Sequence, residues 1–226
     1  ISVEIFIPGT DGSTPDNWKL VGIPVNGETV GDIDDNLASN GSKVGIGRYI
    51  SASNSWSLYT TSDANTVLAS NVGYEMLHAS GGNVTFTGSM ITGTRNSLES
   101  IENRWQLLGN PYPSYLRLSS GATGASANSG NFFLDTANKS KLNASFQAAY
   151  AWDGNAYDTY AHDNTDVVNL MPGDAFFVYA GGYDNFSFTE DMQQHASSQG
   201  FRGNVTPGSE ENNKESRQGK VKFQMS

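Results

Sequence analysis

The chain has 226 residues, enough for one large β domain or two small ones with a real core. It contains no cysteine, which removes disulfides and Cys-ligated metals, and its net charge of −10 makes a surface that repels phosphate backbones and anionic lipid, so neither nucleic acid nor a membrane surface is expected as a partner. Asn (22), Ser (27), Thr (16), Gly (25) and Pro (7) are abundant and only 16% of residues are charged, a balance that favours short strands and many turns over long helices.

Short apolar runs bounded by Gly, Asn or Pro predict strands at Ser2–Ile7, Trp18–Ile23, Gly45–Ser51, Trp56–Thr60, Tyr74–His78 and Asn83–Ser89. They continue at Trp105–Leu108, Phe146–Trp152, Tyr157–Ala161, Ala175–Tyr179, Phe186–Thr189 and Lys220–Met225. Asp32–Leu37 and Leu134–Asn138 could each hold one helical turn. The fold class is all-β, an antiparallel sandwich or jelly-roll-like domain. No stretch approaches the roughly 18 apolar residues of a membrane span, so no membrane insertion is expected. The opening Ile1–Ile7 lacks the basic start of a signal peptide and reads as a strand opening a chain already cut. Ser119–Gly130 and Gln193–Gly219 carry too little apolar surface to offset the entropy of ordering them, and read as an insertion and a linker.

An internal repeat organises the chain. Trp18-Lys19-Leu20-Val21-Gly22-Ile23-Pro24 returns as Trp105-Gln106-Leu107-Leu108-Gly109-Asn110-Pro111. Tyr49 to Tyr59 returns as Tyr150 to Tyr160, each a predicted hairpin with a central aromatic, which aligns Trp56 with Tyr157. Gly73–Ala79 returns as Gly173–Ala180, and Asn83–Thr87 as Asn185–Thr189. Four blocks in one order give two pseudo-repeated β halves, 1–97 and 98–192, then a polar linker, 193–219, and a last strand, 220–226, that either returns to an edge or opens a following β domain.

The succession Trp105-Gln106-Leu107-Leu108-Gly109-Asn110-Pro111-Tyr112-Pro113-Ser114, then Tyr150-Ala151-Trp152-Asp153, then Pro172-Gly173-Asp174-Ala175-Phe176-Phe177-Val178-Tyr179-Ala180 resembles a β-rich module of large secreted proteins of Bacteroidetes. In those proteins the module lies upstream of the C-terminal sorting domain read by the type IX secretion system. The resemblance spans roughly Trp18 to Glu190 and is most specific at Gly109-Asn110-Pro111-Tyr112-Pro113-Ser114; Asp174-Ala175 stands where the pattern has Gln-Gly, and no sorting domain occurs up to Ser226. It implies an extracellular, cell-surface module without catalytic activity, acting beside neighbouring domains of the same polypeptide.

The sequence carries no catalytic motif: no G-x-S-x-G, H-E-x-x-H, phosphate loop or dinucleotide fingerprint, and His78, His162 and His195 lie in separate blocks. No cofactor is expected, with Ca²⁺ as the one cation the sequence could serve. Asp153, Asn155 and Asp158 are the nominated ligands, and Asp32–Asn36 and Asp163–Asp166 are further oxygen-rich turns, though Asp and Asn are also what turns require. Trp18 and Trp105 open W-x-L-x-G strands and are expected in the core, and Phe176, Val178, Phe186 and Phe188 alternate inward. Trp56, Tyr112, Tyr115 and Tyr157 flank turns or prolines; exposed, they would stack on a sugar, with Asp153 and Asp158 accepting its hydroxyls, and otherwise they seal the ends of a sandwich. The expected function is a structural or adhesion module, not an enzyme and monomeric. The alternative is a carbohydrate-binding module appended to a polysaccharide-degrading enzyme.

Overall fold

The computed structural model describes residues 1–9, 18–98, 100–120, 130–134, 137–154, 156–163 and 167–194. The fold is all-β, with antiparallel sheets and short helical turns. In chain order the first strands are β1 (Ser2–Ile7), β2 (Lys19–Gly22), β3 (Ser39–Asn40), β4 (Lys43–Ile50), β5 (Ser55–Thr60), β6 (Gly73–Met76), β7 (Gly82–Thr87) and β8 (Arg95–Asn96). The rest are β9 (Trp105–Gly109), β10 (Tyr115–Ser120), β11 (Ala148–Trp152), β12 (Tyr157–Ala161), β13 (Val167–Leu170), β14 (Ala175–Tyr179), β15 (Ser187–Phe188) and β16 (Gln193–Gln194). Helix α1 (Val30–Ile33) precedes β3, and α2 (Asn138–Lys141) precedes β11. No helix among the described residues is long and apolar enough to cross a membrane.

Two sheets share one strand order. The first runs β2-β6-β4, with β5 and the short β3 both on β4; the second runs β9-β14-β11-β12. The strands that match in order are those the sequence repeat pairs: β2 with β9, β4 with β11, β5 with β12, and β6 with β14. Each sheet packs one face on its own core. Val21, Ile46, Tyr74 and Met76 join Ile5, Ile7 and Phe86 of the β1–β7 ribbon in the first, while Leu108, Ala149, Phe176 and Val178 join Leu116, Phe132, Phe186 and Phe188 in the second. The inward alternation read for Phe176, Val178, Phe186 and Phe188 is therefore present, all four being fully buried.

A third cluster lies where the sheets' other faces meet, and it draws Leu20 and Tyr49 from one sheet and Leu107, Tyr150, Tyr157 and Phe177 from the other. The crossing point is set by the repeated glycines. A β-carbon on Gly22 would stand 2.9 Å from the Gly109 Cα, and one on Gly109 2.7 Å from the Gly22 Cα, so matching positions of the repeat touch backbone to backbone. The Gly22 amide then donates to the Gly173 carbonyl at 2.9 Å, and the two sheets are stitched directly.

Several expectations need correction. Ser119 and Ser120 belong to β10, and Gln193 and Gln194 pair with Leu116 and Tyr115, so neither segment is unstructured at that end. Polar residues form strands here because their backbone groups complete an existing ladder. Trp18 and Trp105 are half-buried rather than core, because Trp105 is the first residue of β9 and Trp18 stands just ahead of β2. The helical turn expected at Leu134–Asn138 is formed by Asn138–Lys141, and that at Asp32–Leu37 divides into α1 and a single 3₁₀ turn, Asp34–Asn36. Asn155, Asp166, His195, the remainder of the polar linker and 220–226 lie outside the described residues.

Candidate functional site

The seam between the sheets is built row by row from cross-strand neighbours. In the second sheet Leu107 pairs with Phe177, Phe177 with Tyr150, and Tyr150 with Thr159. In the first, the matching row is Leu20, Glu75, Gly47 and Leu58. Two residues further along, Tyr49 faces Trp56 and Trp152 faces Tyr157, so each hairpin carries one aromatic pair toward the seam. The sequence alignment of Tyr49 with Tyr150 is thus two residues out of register: Trp152 occupies Tyr49's place. A shift of two leaves a side chain on the same face of its strand, which is why pattern alone did not expose it.

Phe177 is the hub. Its ring lies 4.9 Å from Tyr49, 5.9 Å from Tyr157, 6.1 Å from Trp56 and 6.3 Å from Trp105, all edge-on. Trp105 in turn packs on Tyr150 at 5.1 Å, and Trp152 on Tyr157 at 5.0 Å. Edge-to-face pairs each contribute about 0.5–1.5 kcal/mol beyond the area they bury.

Glu75 interrupts this apolar row. Its carboxylate lies across Gly47, with Oε1 2.6 Å from where a β-carbon on Gly47 would stand. No described residue donates a hydrogen bond to it, and desolvation pushes its pKa up to about 7. The Tyr157 hydroxyl is pushed up as well, first by burial and then by the neighbouring Tyr49 and Glu75. Burial likewise raises Tyr49 to about 12, against the opposing charge of Arg104.

The nominated ligand residues part company. Trp56 and Tyr157 meet in the seam, with Tyr157 only 9% exposed. Tyr112 was expected in an open loop and instead has 0% exposure: its ring fills the second core and its hydroxyl donates to the Gly93 carbonyl at 2.9 Å and the Phe188 carbonyl at 3.1 Å. The prolines on either side bend the chain back over the core, and Asn110 fixes that bend by accepting from the Tyr112 amide and donating to the Ser114 and Met171 carbonyls. Tyr115 is half-buried on β10, away from the seam. Asp153 closes the β11–β12 hairpin, its Oδ1 accepting from the Ala156 amide at 2.6 Å. Asp158 sits next to Tyr157 on the same strand and so points to the opposite face of the sheet. Among the described residues no three His, Cys, Asp or Glu side chains gather as a metal site.

Two buried groups escaped the sequence reading. Asp174 is 3% exposed; burial raises its pKa, its Oδ2 accepts from the Met171 amide at 2.6 Å, and the nearby Lys19 ammonium partly offsets the cost. Lys19 is lowered by its own burial and donates to the Phe6 carbonyl at 2.9 Å, so the pair ties β1 and β2 to the Pro-Gly-Asp turn of the second half. Glu28, 1% exposed, accepts from the Thr87 amide and is raised to about 7 by desolvation. Only Asp174's place after Pro172-Gly173, where a turn closes onto a strand, could have hinted at its role.

Comparison with family models, with curated proteins and with solved structures finds no match.

Proposed function

We propose that this chain is a non-catalytic extracellular module of a secreted bacterial multidomain surface protein, serving as a rigid structural or adhesive element between neighbouring domains. One observation carries the reading: rings that could have faced a ligand, Tyr112 and Tyr157, are buried, and Trp56 packs edge-on to Phe177 and Tyr49. The aromatic residues act as joinery. Gly22 and Gly109 in backbone contact and the Lys19–Asp174 pair add to the bond between halves, as a load-bearing spacer requires. The resemblance of Gly109-Asn110-Pro111-Tyr112-Pro113-Ser114 to secreted Bacteroidetes modules supports the setting. Pulling the chain from its two ends by force spectroscopy tests the reading: a single unfolding step is expected, and two separate steps of half the contour length each would contradict it.

A further inference from the structure

Where the seam reaches the surface at Trp105, one group of rings in the second half is left partly in water. Phe146 is 37% exposed and packs on Tyr179 at 4.9 Å and Trp105 at 6.0 Å; Trp105 and Tyr179 are themselves half-buried and 4.9 Å apart. In the first half Trp18 stands in the place of Trp105, but Tyr179 has no matching ring. Counting outward from the paired Lys19 and Met76 puts Leu77 in the place of Tyr179. Shared architecture therefore does not demand Tyr179, and three touching rings left partly in water are the informative kind of exposure.

The patch is held rigid and has a polar rim. The Tyr179 hydroxyl donates to the Asn103 carbonyl at 2.8 Å, and the Asn143 side-chain amide donates to Asn103 Oδ1 at 2.9 Å. The Asn143 backbone amide donates to the Tyr179 carbonyl at 3.0 Å, and Asn143 Oδ1 accepts from the Ser145 amide at 3.0 Å. Asn103 is exposed, and no described residue accepts a hydrogen bond from its side-chain amide nitrogen. Rings beside an uncommitted amide donor match the apolar C–H face and the hydroxyls of a pyranose. The net charge of −10 opposes a polyanion.

We propose that Phe146, the most exposed of the three rings and braced by Trp105 and Tyr179 at interplanar angles of 68° and 52°, is the stacking ring of a site for neutral glycans, with Asn103 donating to a sugar hydroxyl. The site lies outside the set Trp56, Tyr112, Tyr115 and Tyr157, and it does not depend on the mechanical reading above, whose pulling test stands whether or not sugar binds.

Calorimetry of the full chain with cellohexaose, xylohexaose, mannohexaose, maltohexaose and chitohexaose, and with hexagalacturonate as the anionic control, tests it. At least one neutral hexaose should bind with a Kd between about 10 µM and 1 mM, the weak range that one stacked ring with flanking apolar contacts and a hydrogen bond supports. Phe146→Ala should weaken that binding about fivefold. Phe146→Leu keeps apolar volume without a ring face; it should weaken binding equally while leaving the melting temperature near that of the parent. Tyr183→Ala should change nothing. The proposal is overturned if no neutral hexaose binds below 5 mM, if hexagalacturonate binds more tightly, or if Phe146→Leu binds like the parent. Loss of binding in Trp56→Ala together with retention in Phe146→Leu would place the site in the seam instead.

Discussion

At the same position in two sheets of equal strand order, one half sets Phe177 beside Tyr150 and the other lays Glu75 across Gly47. The contrast shows that the seam is divided unequally. The second half supplies the ring that inserts among Tyr49 and Trp56, whereas the first offers a carboxylate with no hydrogen-bond donor among the described residues. A duplicated fold keeps its backbone contacts at Gly22 and Gly109 while the side chains around them take different roles.

The largest effect should come from removing the hub. Phe177→Ala should cost about 3–5 kcal/mol in denaturant unfolding, because a ring touching both sheets leaves a cavity that neither can close. Glu75→Ala should cost far less, and equal losses would mean that the halves contribute alike. Gly22→Ala comes next, at about 3 kcal/mol, since the new methyl meets backbone atoms that cannot rotate away. Gly182→Ala, with open space around it, serves as the control and should cost under about 1 kcal/mol. Tyr112→Phe should cost about 1–2 kcal/mol by leaving the Gly93 and Phe188 carbonyls without their shared donor. A neutral Tyr112→Phe would return Tyr112 to the solvent-facing role first expected of it.

Much of this framework was legible in the sequence, and the failures have common causes. The repeated W-x-L-x-G and the alternating Phe176, Val178, Phe186 and Phe188 announced strands and inward faces because period-two burial leaves a direct trace. Tyr112 was misread because Pro on either side signals a loop without saying whether that loop lies on the core. Glu75 was invisible for a different reason. Tyr74-Glu75-Met76 reads as an edge with one wet face, yet the second sheet covers that face, and no local pattern reports a cover built from distant residues. Short pairs such as Ser39–Asn40 and Gln193–Gln194 form only because a neighbouring strand is already in place.

Glu75 stands in a ring's place and is kept there at a cost. With a folded pKa of about 7 against 4.5 for the free side chain, the folded state holds a proton that the unfolded chain has already lost. The stabilisation is fully present below pH 4.5 and disappears as pH rises through about 7. Glu28 and Asp174 shift the same way, so the informative quantity is the difference between the parent and Glu75→Gln, in which their contributions cancel. Unfolding free energies of both proteins at intervals from pH 4 to pH 8 provide it. Relative to Glu75→Gln, the parent should lose about 1–2 kcal/mol across that range, the full linkage being reduced because the carboxylate is only half-buried. Parallel profiles for the two proteins would show that Glu75 titrates as a solvated carboxylate and that the seam is not asymmetric in charge.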